Sequence, residues 1–270
     1  MQIDFNTKPN QVILYMDMLG FRNAIMDNNG NLLSAVITLN FEAFENIIRD
    51  MFFSEEENNP VKFLWMSDSF MLSTDISHIN ELLSYMFEIQ KQTFISALPV
   101  RGAICIGNLH HDKNIWGEAL VRAVQLEETI SKYPRIIISN DDYERLSIQQ
   151  EYTRYFKSFY GDDEKNYKYI NPISHHLDEC LGNAFRNSNG IWAVLDISIG
   201  TIEDQIKKYS NVSKVSDKWI WLAQECKSAL QDNEQIICEA LKIDQIAGMR
   251  PQDYDTCLKR LDKIIERSSI

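Results

Sequence analysis

Three features of this 270-residue chain predict an α/β (α+β) fold. Short apolar runs of strand character alternate with amphipathic stretches of helical period up to about residue 173. The order of these segments is β-α-β-β-α-β, followed by a further α/β part. Beyond about residue 199 strand signals stop, and only helix-period patterns remain. That order is the one of a ferredoxin-like split βαβ core. The expected organisation is therefore a domain over 1–173 and a helical extension over 174–270.

The first strand is Gln11–Met16, an unbroken apolar run behind the turn-prone Lys8-Pro9-Asn10, as expected of a strand buried on both faces. It closes on Asp17, and Gly20-Phe21 follow. Residues 27–31 are turn-rich, and 32–52 read as a helix with Phe41, Phe44, Ile47, Ile48 and Met51 at three-and-four spacing. After a polar loop over 54–60, the runs 61–66 and 70–73 flank Ser67-Asp68-Ser69 as a tight hairpin. A helix is predicted over 78–96, a strand over 99–107, a helix over 118–130, a strand over 135–139 and a short helix over 141–146. Segments 152–160 and 167–173 form a last hairpin around Gly161-Asp162-Asp163. In the extension, Trp219, Leu222, Ala223 and Cys226 make one apolar stripe. Tyr254, Cys257, Leu258, Leu261, Ile264 and Ile265 make another.

Composition narrows the function classes. A formal charge of −12 argues against a phosphate-tracking face for bulk nucleic acid, though not against one nucleotide held through cations. Five cysteines with no CxxC pair predict a reducing compartment without a disulfide frame or zinc site. The start shows no basic-then-apolar leader, and no apolar run approaches a membrane span. A cytoplasmic protein with no membrane partner is expected. His110 and His111 read as neighbours in a surface loop, and His175 and His176 likewise.

In the ferredoxin-like topology the first and third strands are antiparallel neighbours. The end of one, at Asp17, then meets the start of the other, at Asp68. Two converging carboxylates suit Mg²⁺ or Mn²⁺ on a triphosphate, because these ions take hard oxygen ligands. The plainer alternatives are a helix-capping Asp17 and a turn Asp68.

Asp17-Met18-Leu19-Gly20-Phe21 resembles the metal-binding D-x-x-G-F of class III nucleotidyl cyclases, and Trp65-Met66-Ser67-Asp68-Ser69 resembles their second metal hairpin. Arg101–Gly107 is similar to the strand before their catalytic helix. Trp116-Gly117-Glu118-Ala119-Leu120-Val121-Arg122-Ala123-Val124-Gln125-Leu126-Glu127 is similar to W-G-x-x-V-N-x-A-x-R-L-E. The resemblance covers roughly 11–173. It departs from the family at four places. The ribose-contacting Asn falls on Val121, the transition-state Arg on Gln125, the purine-selecting Lys on Leu64, and the base-reading Asp on Asn114. With Lys218-Trp219-Ile220-Trp221-Leu222 in the extension, the pattern looks most like the Pycsar pyrimidine cyclases of anti-phage defence.

The resemblance implies a reaction and a set of residues. UTP or CTP would be converted to the 3′,5′-cyclic monophosphate plus pyrophosphate, in a homodimer with composite sites. The product would act on a downstream cyclic-nucleotide effector. Two Mg²⁺ or Mn²⁺ ions would sit on Asp17, Met18 and Asp68. Asp17, Asp68, Arg122 and Gln125 would be catalytic. Leu19, Gly20, Phe21, Arg22, Leu64, Trp65, Arg101 and Asn114 would contact substrate. Arg22, Arg101 or Arg122 would offset charge in place of the missing Arg; each could equally be a surface ion pair. Neighbouring side chains on a strand face opposite ways, so only one of Leu64 and Trp65 can line the base pocket. A purine cyclase and a catalytically inert nucleotide-binding module remain the rival readings.

Overall fold

The structure, a computed structural model, describes residues 7–21, 45, 46, 48, 59–184, 191–237 and 252–266. Most of the expected helix over 32–52, and Arg22, lie outside these residues. The chain divides into two compact units, 1–170 and 171–270.

The first unit is a mixed α/β layer. Its strands are β1 (Lys8–Met18), β2 (Lys62–Met66), β3 (Ser69–Asp75), β4 (Val100–His111), β5 (Ile115–Trp116), β6 (Ile136–Ser139), β7 (Lys157–Tyr160) and β8 (Asn166–Ile170). Its helices are α1 (Ile79–Ile95), α2 (Glu118–Thr129), α3 (Asn140–Tyr143) and α4 (Gln150–Thr153). The sheet order is β2-β3-β1-β4-β6-β8-β7, with β5 hydrogen-bonded to the end of β4. Among the described residues only β4 and β6 run parallel; the other neighbours are antiparallel.

β1 is the spine. Gln11–Asp17 pairs residue for residue with Asp75–Ser69 on one side, and Gln11–Met18 pairs with Gly107–Val100 on the other. Coverage of both its faces, by α1 and by α2, explains its unbroken apolar run. It begins earlier than the sequence suggests. Lys8-Pro9-Asn10 forms not a turn but a bulged start, with a register shift before Gln11 and Asn10 at φ 55°.

Period two sorts the faces. Val12, Leu14, Met16 and Met18 join Phe70, Leu72, Ile104 and Ile106 in one buried core. α1 covers that core with Ile79, Leu82, Leu83, Met86 and Ile89, and each such side chain contributes about 1.5–3 kcal/mol on burial. The opposite face carries Ile13, Tyr15 and Asp17 beside Cys105, Ala103 and Arg101. α2 packs there through Ala119 and Ala123.

β4 runs further than expected. His110 and His111 are its last residues, paired with Trp116 and Ile115, rather than part of a loop. His111 Nδ1 lies 2.6 Å from Ser73 Oγ, and its carbonyl accepts from Lys62 Nζ. Burial, with Lys62 and His110 nearby, pushes the imidazole down to about 4 against a smaller opposing pull from Asp112.

The second unit is helical among its described residues: α5 (Pro172–Ala184), α6 (Ile191–Lys208), α7 (Ser213–Asp232) and α8 (Gln252–Glu266). Asn171 opens it by accepting N–H bonds from Ile173 and Ser174, which places the boundary just before the expected 173/174. Trp219, Leu222, Ala223, Cys226 and Leu230 of α7 are buried, as are Tyr254, Cys257, Leu261 and Ile264 of α8. Arg260 donates to both carboxylate oxygens of Glu203, joining α8 to α6. Among the described residues no helix is long and apolar enough to cross a membrane.

A Cβ at Gly102 would stand 2.2 Å from the Tyr15 carbonyl, whereas one at Gly20 (φ 84°) would meet open space. Gly102→Ala therefore costs more than Gly20→Ala, about 1–3 kcal/mol against about 1 kcal/mol, ranked by urea unfolding. For His111, the unfolded imidazole takes up a proton near its ordinary pKa while the folded one does not. Stability is thus fully present above pH 6.5 and is lost as pH falls toward about 4. His111→Gln should flatten the stability profile across that window, measured by denaturant titration at a series of pH values.

Candidate functional site

The Asp17 end of the sheet assembles several polar side chains on one edge. Asp17 pairs with Ser69 on β3 and with Arg101 on β4. The Met18 N–H donates to the Asp68 carbonyl at 2.8 Å, which ties the β2–β3 turn to the end of β1. Both carboxylates are near enough to Tyr15 to act on it. The phenol is raised above its ordinary value mainly by burial, then by Asp17, Glu127 and Asp68, against a lowering hydrogen bond with Ser69 at 3.1 Å.

The turn that carries Asp68 is strained. Met66 and Ser69 pair directly, leaving Ser67 and Asp68 as a two-residue connection. Ser67 takes φ 60° without being glycine, a conformation that costs about 1–2 kcal/mol. Trp65 Nε1 donates to the Ser67 carbonyl at 2.8 Å and braces the turn.

Arg101 lies between two carboxylates. Its Nη2 is 3.7 Å from Asp17 Oδ2, and its Nε forms an ion pair with Glu127 Oε1 that is not aligned as a hydrogen bond. Glu127 is only 3 % exposed. The candidate Arg101 therefore belongs to this edge, with Glu127 of α2 behind it.

The remaining candidates divide. Leu64 pairs with Met71, which pairs with Tyr15, so alternation puts Leu64 on the Asp17 face. Trp65 does not share it: its ring packs on Phe70 at 5.4 Å, in the α1-covered layer. Of the two, only Leu64 is brought to the Asp17 face. Met18 has its side chain in the same core, so only its carbonyl is left as a metal donor. The Leu19 N–H donates to the Pro99 carbonyl and is not available to a phosphate. Phe21 packs its ring against the core cluster, which leaves its main chain beside the positive-φ Gly20.

Arg122 is committed elsewhere. It donates to the Ile106 carbonyl at 3.0 Å and to Asp142 Oδ2 at 2.8 Å, fastening α2 to β4 and α3. Gln125 is exposed on α2, four residues from Val121, which is 57 % exposed. Asn114 lies in the exposed β4–β5 turn, at the far end of β4 from Arg101. Within one chain, neither Arg122 nor Asn114 is brought to Asp17.

Tyr15, Ser69 and Glu127 are the members not singled out from sequence. A signal was present for the first: Tyr15 precedes Asp17 by two and so shares its face. Cys105 lies on the same face, but burial pushes its thiol up to about 12, so it is no nucleophile. Among the described residues no group of three or more His, Cys, Asp or Glu side chains is placed to hold a metal.

No model of a known protein family matches the chain, and no curated protein matches it. Glu127→Gln leaves the Arg101 charge with a weaker partner in a mostly buried setting. It should destabilise the first unit by on the order of 3 kcal/mol, read as a lower unfolding midpoint, with Glu127→Asp losing less.

Proposed function

We propose that the chain is a nucleotide cyclase of pyrimidine preference, converting UTP or CTP to the 3′,5′-cyclic monophosphate and pyrophosphate. The observation that carries this reading is the Asp17–Asp68 edge, closed by the Met18–Asp68 main-chain bond. The strand order β2-β3-β1-β4, antiparallel throughout, matches that of a ferredoxin-like core and supports the cyclase relationship.

The donor set fits the implied ions. Asp17, Asp68 and the Met18 carbonyl are hard oxygen donors at one sheet end, as Mg²⁺ or Mn²⁺ requires. When bound, such ions neutralise a triphosphate and favour an ionised hydroxyl. Arg101 supplies fixed positive charge next to Asp17, and Gly20 opens the main chain where phosphate oxygens would lie. Leu64 presents an apolar wall on the same face. A purine edge left unpaired there costs about 1–3 kcal/mol per group, which disfavours ATP and GTP. Arg122, Gln125 and Asn114 would serve in a site shared by two copies, and the active unit proposed is a homodimer. The product would reach a separate effector in anti-phage signalling.

One observation favours the inert-module reading. Arg101 already answers the Asp17 charge within the chain. Incubation with each of the four ribonucleoside triphosphates and Mn²⁺ separates the two. Cyclic UMP or cyclic CMP should form, and Asp17→Asn and Asp68→Asn should each lower turnover at least a hundredfold with little change in unfolding midpoint. Triphosphate binding without any cyclic product supports the inert module. Faster conversion of ATP or GTP supports the purine cyclase.

A further inference from the structure

The Lys8 end of β1 holds a second polar assembly. A pocket of about 610 Å³ opens there between the start of β1, the β2–β3 pair and the end of β4. Lys8 and Asp17 are nine strand positions apart, roughly 30 Å at a rise of about 3.3 Å per residue. This pocket is thus remote from the edge described above.

Its lining is unusual for a chain of formal charge −12. Lys8, Lys62, His78, His110 and His111 all face it, against Asp75 and Asp112. The Asp75 carboxylate is already engaged. It accepts from the Ser77 N–H at 3.1 Å, the Ser77 hydroxyl at 2.8 Å and Gln11 Nε2 at 3.2 Å. Those donors hold its pKa below the ordinary carboxylate value. Asp112 is exposed at the pocket rim.

The basic side is preorganised. Lys62 donates one ammonium hydrogen to the His111 carbonyl, which fixes its head group and leaves further donors. Ser73, almost fully buried, holds the His111 ring through Nδ1, leaving Nε2 for another partner. Burial first, then Lys62 and His110, act on the His111 ring against its charged form, with Asp112 opposing. Two ammonium groups and imidazole nitrogens around a pocket of ligand size suit a compact polyanion.

We infer that this pocket binds a small phosphate-bearing molecule, of pyrophosphate to mononucleotide size, at a site separate from Asp17 and Asp68. The shared chemistry is a phosphate group against Lys8, Lys62 and His111. Inorganic pyrophosphate and cytidine monophosphate are the two probes that distinguish a bare anion from a nucleotide.

The test uses the full chain carrying Asp17→Asn and Asp68→Asn, with EDTA present, so that the candidate cation site is silenced. Calorimetric titration with each probe should show one site, and the His111 ring resonances should move on the same isotherm. Lys62→Ala and Lys8→Ala should each weaken binding about tenfold or more, and Lys62→Arg should retain it. Lys8 is exposed, so its variant reports even where Lys62→Ala misfolds. Absence of binding by either probe at millimolar concentration overturns the inference. So does binding that neither Lys8→Ala nor Lys62→Ala changes. Neither result bears on cyclisation, which is read with triphosphates and Mn²⁺ in the unmutated chain.

Discussion

The pairing of β1 on both sides is the constraint on which the first unit depends. Its register with β3 and β4 decides which residues meet at either end of the sheet. Asp17 faces Ser69 and Arg101 because Tyr15 faces Met71 and Ala103 two positions earlier. A slip of one residue would turn Val12, Leu14 and Met16 out of the core and Asp17 into it. The buried apolar face therefore fixes the polar edge. The close approach of Gly102 to the Tyr15 carbonyl and the Met18–Asp68 bond hold the same register.

The charges at that edge are arranged in depth. Glu127 lies deepest, with Arg101 and Asp17 half-buried above it. A buried carboxylate is tolerated when a cation answers it, and a cation so held keeps its geometry. Arg101 is thereby oriented by α2 while it acts on β1. The arrangement joins helix packing to the electrostatics of the edge. Arg122, from the same helix, seats α2 on Asp142 and on the Ile106 carbonyl.

Much of this was legible in the sequence, and the rest was not for physical reasons. The Asp17 strand end and the Asp68 hairpin could be read because apolar runs and a short polar break leave few alternatives. That Leu64 rather than Trp65 shares the Asp17 face needed the register, since alternation says only that the two differ. The pairing of Arg122 with Asp142 could not be read, because Asp142 lies in a short helix twenty positions on that no pattern connects to it. His110 and His111 looked like loop because β5 is just two residues long, too short for any period to announce it. Lys8-Pro9-Asn10 has turn composition, yet a bulge accommodates it inside a strand.

The sheet's outer strands bear on how copies of this chain can meet. Among the described residues the hydrogen-bonded order ends in β2, of five residues, and in β7, of four, and each begins with a lysine. Short, charged borders of this kind discourage ladder-to-ladder continuation between molecules. Polymerisation into extended ribbons is thereby suppressed, and any self-association is steered onto broad surfaces rather than rims. Met66, 59 % exposed on the Asp17 face, and Val121 on α2 are apolar side chains that such a surface contact would cover.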